Sequence, residues 1–140
     1  MIINLIYTSK TGHTEQIAKA MASVLNVDPI DISQPHVLNK TDLLFVGTGI
    51  YGGKPDRALL DYLDNLPANQ IKGAAIFSSS VTNKDQTELV VNVLRQKNIE
   101  VLGTRFTCRG QFLLFGWGHP DLSDLRKAKE FAQMVLDSIA

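Results

Sequence analysis

Apolar residues gather along this chain in two alternating rhythms, short continuous runs and longer stretches with a helical period. The runs IINLIY (2–7), VDPIDI (27–32), DLLFVGT (42–48), GAAIFSS (73–79) and VLGTRFT (101–107) have the length of strands. They are continuous rather than alternating, as strands covered on both faces are in a parallel sheet. Between them the period is helical. In the first such stretch Ile17, Ala18, Met21, Val24 and Leu25 share one face, with Glu15, Gln16 and Lys19 turned outward. Residues 56–66 align Leu59, Leu63 and Leu66, and residues 86–97 align Leu89, Val90, Val93 and Leu94. Asp85 and Glu88 have the spacing of a capping box ahead of that third helix. A fourth helix follows Pro120 and turns Leu125, Ala128, Ala132 and Val135 inward. The connection SQPHVLNK between the second and third strands is too short for a helix of average length and is expected to be irregular.

Strands alternating with helices predict an α/β fold, a doubly wound five-stranded parallel sheet with helices on both faces, in one domain over residues 1–140. In such sheets ligands lie beyond the carboxyl ends of the strands, so function is sought in the loops that follow them.

Composition narrows the ligand. With 140 residues and 44% hydrophobic side chains the chain can bury a core without disulfides. Fourteen basic and fourteen acidic side chains cancel, leaving no field that favours nucleic acid or an anionic membrane. Cys108 is the only cysteine, which excludes an intramolecular disulfide and a cysteine-rich zinc site; His13, His36 and His119 lie far apart in sequence, so no metal centre is expected. No stretch reaches the roughly 18 apolar residues of a membrane span, and the expected location is cytoplasmic.

The loop after the first strand reads TSKTGHT. Thr8, Ser9, Thr11 and Thr14 supply hydroxyls, Gly12 permits a left-handed backbone, and a helix starting near His13 aims unsatisfied N–H groups at the same space. That set suits an anion, above all a phosphate ester; a ligand-free serine- and threonine-rich helix cap is the plainer reading. Neither G-x-x-x-x-G-K-[ST] nor G-x-G-x-x-G is present, and the loop has no cysteine nucleophile. Lys10 either touches the anion or is solvated.

Leu5, Ile6, Tyr7, Ser9, Gly12, Thr14 and Ala18 stand where the phosphate loop of flavodoxins places its apolar pair, aromatic, hydroxyl, small, threonine and alanine positions. The chain therefore resembles a short-chain flavodoxin over nearly its whole length, with Met21 and His13 as departures from the usual residues. The resemblance implies sheet order 2-1-3-4-5 and flavin mononucleotide (FMN) as cofactor, held by Thr8, Ser9, Lys10, Thr11, Gly12, His13 and Thr14 at its phosphate. It implies that the second loop, Thr48, Gly49, Ile50, Tyr51, Gly52 and Gly53, lies against the flavin ring, with Tyr51 stacking. A Gly52–Gly53 peptide could flip when the flavin takes one electron; an ordinary tight turn ahead of Pro55 and Asp56 is the alternative. Ser78, Ser79 and Ser80 would meet the pyrimidine edge, with Asn83 and Asp85 as further polar partners or helix caps.

The resemblance also implies an aromatic in the third loop, where this chain offers only Val81. Either a partner or substrate stacks on that open face, or residues 108–120, with Phe112, Phe115 and Trp117, form a lid; a hydrophobic connection packed on the sheet edge is the equal alternative. By resemblance the protein is an electron carrier between redox partner proteins, a reductase and an acceptor, with no catalytic side chain. The competing reading is an FMN-dependent oxidoreductase acting directly on a quinone, a porphyrin-like or another conjugated small molecule. Lys10, Lys54, Arg57 and Lys84 against Asp56 and Asp85 at the rim predict a second reduction potential less negative than that of strongly acidic flavodoxins. A response-regulator receiver is set aside, because Tyr7 and Thr8 stand where its carboxylates would be.

Overall fold

The computed structural model of the chain describes residues 1–80, 84–109 and 120–139. In chain order the elements are β1 (Ile3–Tyr7), α1 (His13–Leu25), β2 (Ile30–Asp31), β3 (Thr41–Tyr51), β4 (Lys54–Pro55), α2 (Arg57–Asp64), β5 (Ile71–Ser80), α3 (Glu88–Gln96), β6 (Glu100–Val101), β7 (Phe106–Arg109) and α4 (Leu122–Ile139). The sheet order is β2-β1-β3-β5-β6, with β7 also paired to β5 and β4 to β3. Every pairing is parallel except β3 with β4. The five parallel positions therefore run 2-1-3-4-5, the fifth being shared by β6 and β7.

The continuous apolar runs follow from burial on both faces. Neighbours along a strand point to opposite sides, and so Leu5, Phe45 and Phe77 enter one core with Ile17 and Met21 of α1 and Ala132 of α4. Ile6, Leu44, Val46 and Ile76 enter the other with Leu59 and Leu63 of α2 and Val90 and Leu94 of α3. Gly47 is required by this packing: a Cβ there would overlap the ring of Phe77.

Several elements differ from the sequence expectation. The second strand shrinks from 27–32 to Ile30–Asp31, because Val27 N–H still bonds Ala22 C=O at 3.2 Å in the C-cap of α1, and Asn26 turns left-handed with φ 56°. The expected run 101–107 breaks in two. Leu102 N–H bonds Ala74 C=O at 2.9 Å, after which the chain leaves β5 and rejoins it at Phe106. Leu89 is 43% exposed, not part of the buried face of α3. The third and fourth runs extend to Thr41–Tyr51 and Ile71–Ser80. Among the described residues no helix is long and apolar enough to cross a membrane.

Candidate functional site

The register sets the end of β1 at Tyr7 beside Gly47, while β3 and β5 run on together through Gly49 and Ser79. Thr48–Tyr51 and Ser78–Ser80, expected as loop residues, are the last residues of β3 and β5, because both strands stay paired to their ends.

In the first loop Thr8 N–H bonds Gly47 C=O at 3.1 Å, fixing its start to β3. Ser9 Oγ accepts the Gly12 N–H at 3.0 Å and closes a tight bend. Gly12 has φ 86°, a value side chains other than glycine rarely adopt, and N-caps α1 without any side-chain capping bond. The first intrahelical bond runs from Gln16 N–H to Gly12 C=O at 3.2 Å, so the amides of His13, Thr14 and Glu15 have no intrahelical acceptor. They form the positive end of the helix. Thr11 Oγ1 lies 2.8 Å from His13 Nδ1, and burial lowers the His13 pKa, favouring the neutral ring. Glu15 is drawn aside by the Tyr7 hydroxyl at 3.2 Å and Lys19 at 3.6 Å. Burial and then the Glu15 charge push the Tyr7 pKa to about 12. Thr8 Oγ1 is buried with no hydrogen-bond partner among the described residues. Amides at a helix end, clustered hydroxyls and an engaged carboxylate fit a phosphate monoester.

The second segment forms a paired hairpin. β3 turns into β4 through Gly52 and Gly53, with φ 60° and 79°, the two positive values that a two-residue hairpin turn demands. Thr48 is fully buried; its hydroxyl accepts Asp56 N–H at 3.1 Å and donates to Gly49 C=O at 2.8 Å. Asp56 in turn caps α2 by accepting Ala58 N–H at 2.9 Å. Ile50 is buried opposite Pro55. Tyr51 reaches back to the first loop: its hydroxyl accepts the Lys10 N–H at 3.1 Å, and Lys10 Nζ sits 4.4 Å from its ring centroid. Burial raises the Tyr51 pKa, which keeps the phenol protonated.

Ser78, Ser79 and Ser80 are all buried. Ser79 Oγ meets Thr14 Oγ1 at 2.9 Å, joining the first and third loops across 65 residues. Ser78 donates to Thr107 at 3.2 Å, and Ser80 accepts Lys84 N–H at 3.3 Å. The capping box expected of Asp85 and Glu88 does not form. Asp85 instead accepts Thr87 N–H at 3.1 Å, and the Arg105 guanidinium lies 3.3 Å from Asp85 and 3.4 Å from Glu88, drawing both carboxylates away. Arg105, Thr107 and Thr87 were not singled out in the sequence, since bonds spanning 17 to 23 residues leave no local pattern. His36, expected in an irregular stretch, anchors that stretch to α2 through Tyr62 at 2.8 Å.

Val81, Asn83, Phe112, Phe115, Trp117 and His119 lie outside the described residues. Burial pushes the Cys108 thiol up to about 12, which leaves it inert as a nucleophile at neutral pH. Among the described residues no cluster of side chains could hold a metal ion.

A family model described as a flavodoxin domain matches residues 4–110. An uncharacterized protein of Methanocaldococcus jannaschii is 36% identical, with 89% of this chain and 90% of that protein covered. Among solved structures, a flavodoxin from the domain Archaea superposes with a TM-score of 0.78 at 16% identity, over 99% of each chain. A Fusobacterium nucleatum flavodoxin bound to flavin mononucleotide gives 0.68 at 11% identity, over 97% of each chain.

Proposed function

Because this chain belongs to the flavodoxin domain family, we propose that it is an FMN-binding electron-transfer flavoprotein that passes electrons between redox partner proteins. The observation that carries this reading is the amino end of α1, entered through left-handed Gly12 with no side-chain cap and joined to the third segment by Thr14 and Ser79. FMN, when bound, supplies the redox chemistry; the chain supplies binding, orientation and shielding from water.

The phosphate is held by the amides and hydroxyls of Ser9, Lys10, Thr11, Gly12, His13 and Thr14, with Thr8 at their base. Tyr51 offers the ring a flat aromatic face. Thr48, Gly49 and Ile50 hold that loop from beneath, and the Gly52–Gly53 turn presents peptide groups to the ring edge. Ser78, Ser79 and Ser80, whose hydroxyls are engaged with Thr107, Thr14 and Lys84, form the floor beneath the pyrimidine edge. No side chain is required as acid or base.

Apoprotein titrated with FMN, followed by absorbance and by quenching of flavin fluorescence, is expected to bind one flavin per chain. Protein that stays colourless in excess FMN refutes the reading. Stepwise reduction of the loaded protein with a purified reductase then tests the carrier role, whereas steady turnover of a quinone without any partner protein would replace it with the oxidoreductase.

A further inference from the structure

Two of the groups that make the first loop attractive to an anion belong to Lys10, and both are occupied by one side chain. The Lys10 amide donates to the Tyr51 hydroxyl at 3.1 Å, and its ammonium group lies 4.4 Å from the centre of the same ring. Tyr51 is partly buried and belongs to the second loop, 41 residues away. Its position has been made possible by a missing side chain, because a Cβ on Gly49 would collide with the Tyr51 hydroxyl and ring. Beyond it lies the Gly52–Gly53 turn. One aromatic side chain thus bridges the two loops that the proposed function assigns to opposite ends of the ligand.

We propose that Tyr51 is an internal competitor for the phosphate subsite, its hydroxyl holding the Lys10 amide and its ring the Lys10 ammonium until a phosphate oxygen displaces it and frees the ring to stack. This rests on the proposed FMN site, and it makes Tyr51 a specificity-determining residue rather than a stacking platform alone. A phosphate gives the Lys10 amide a charged acceptor in place of a neutral phenol oxygen, and charge-assisted bonds are roughly twice as strong as neutral ones. The ammonium likewise exchanges a ring quadrupole for an anion. By linkage, whatever stabilises the latched state weakens phosphate by the same factor.

The test uses full-length apoprotein and inorganic phosphate as the probe, with the chemical shift of the Lys10 amide as readout. Tyr51→Phe keeps the ring and deletes the acceptor, and phosphate is expected to bind about fivefold tighter, the equivalent of one neutral hydrogen bond removed from the competing state. Gly49→Ala, which keeps the hydroxyl but expels the ring from its seat, is expected to tighten phosphate as well and stands in should Tyr51→Phe fail to fold. Phosphate binding that is unchanged or weaker in the folded variants overturns the competitor. FMN titrated against the unmodified apoprotein separates the two ideas: refusal of FMN removes the proposed function, whereas FMN binding with no gain in the variants removes only the latch.

Discussion

At the scale of single residues, His13 carries a charge prediction. Burial lowers its pKa from the ordinary 6.5. The unfolded chain therefore binds a proton more readily than the folded one, and stability falls as pH drops from about 6.5 through the folded value. An anion beside the ring favours the imidazolium and shifts the pKa back up. Titration of the His13 ring by NMR is expected to give a value below 6.5 in apoprotein and a higher one with phosphate present; a shift in the opposite direction would place the anion elsewhere. The left-handed turn at Gly12 was legible in the sequence, because it is a property of the local backbone, whereas the contact of Thr14 with Ser79 spans 65 residues and was not. The pairing of Tyr51 with Lys10 was not legible, since nothing in either segment marks the other.

Among the elements, the long runs β3 and β5 were legible because continuous apolar character reports burial on two faces. The edges were not. Val27 and Pro29 look like strand residues, yet Asn26 holds the preceding helix end left-handed and leaves only Ile30–Asp31 to pair. At the other edge, the chain detaches between Val101 and Phe106, and Arg105 turns to Asp85, Thr87 and Glu88 at the start of α3. Arg105→Ala should cost only about 0.5–1 kcal/mol in global stability, because its ion-pair partners Asp85 and Glu88 both reach solvent. Its larger effect should be local: faster amide exchange over residues 84–88, with β1 and β3 unchanged. Phe77 is the opposite case. It is fully buried, its ring fills the space left by Gly47, and Phe77→Ala is expected to cost about 3–5 kcal/mol in urea unfolding. A loss under 1 kcal/mol would mean that the core had closed over the gap.

For the molecule as a whole, balance of charge is the distinguishing property. Fourteen cations against fourteen anions produce little repulsion against an anionic reduced flavin, so potentiometry of the loaded protein should give a second potential less negative than in strongly acidic flavodoxins. The same balance predicts that association with a redox partner changes little with ionic strength, unlike a sterically similar but highly charged carrier. Overall charge and the order of elements were both readable from the sequence, because each is a sum over many residues and tolerates errors at any one of them.

The place of β3 between β1 and β5 also bears on synthesis. A nascent chain that has emerged only to residue 70 owns the first two of these strands but not the third, so Phe45 and Val46 have a neighbour on one side only. Cooperative closure must wait for residues 71–80 to leave the ribosome, and until then β3 offers a bare ladder edge to any other unfinished chain.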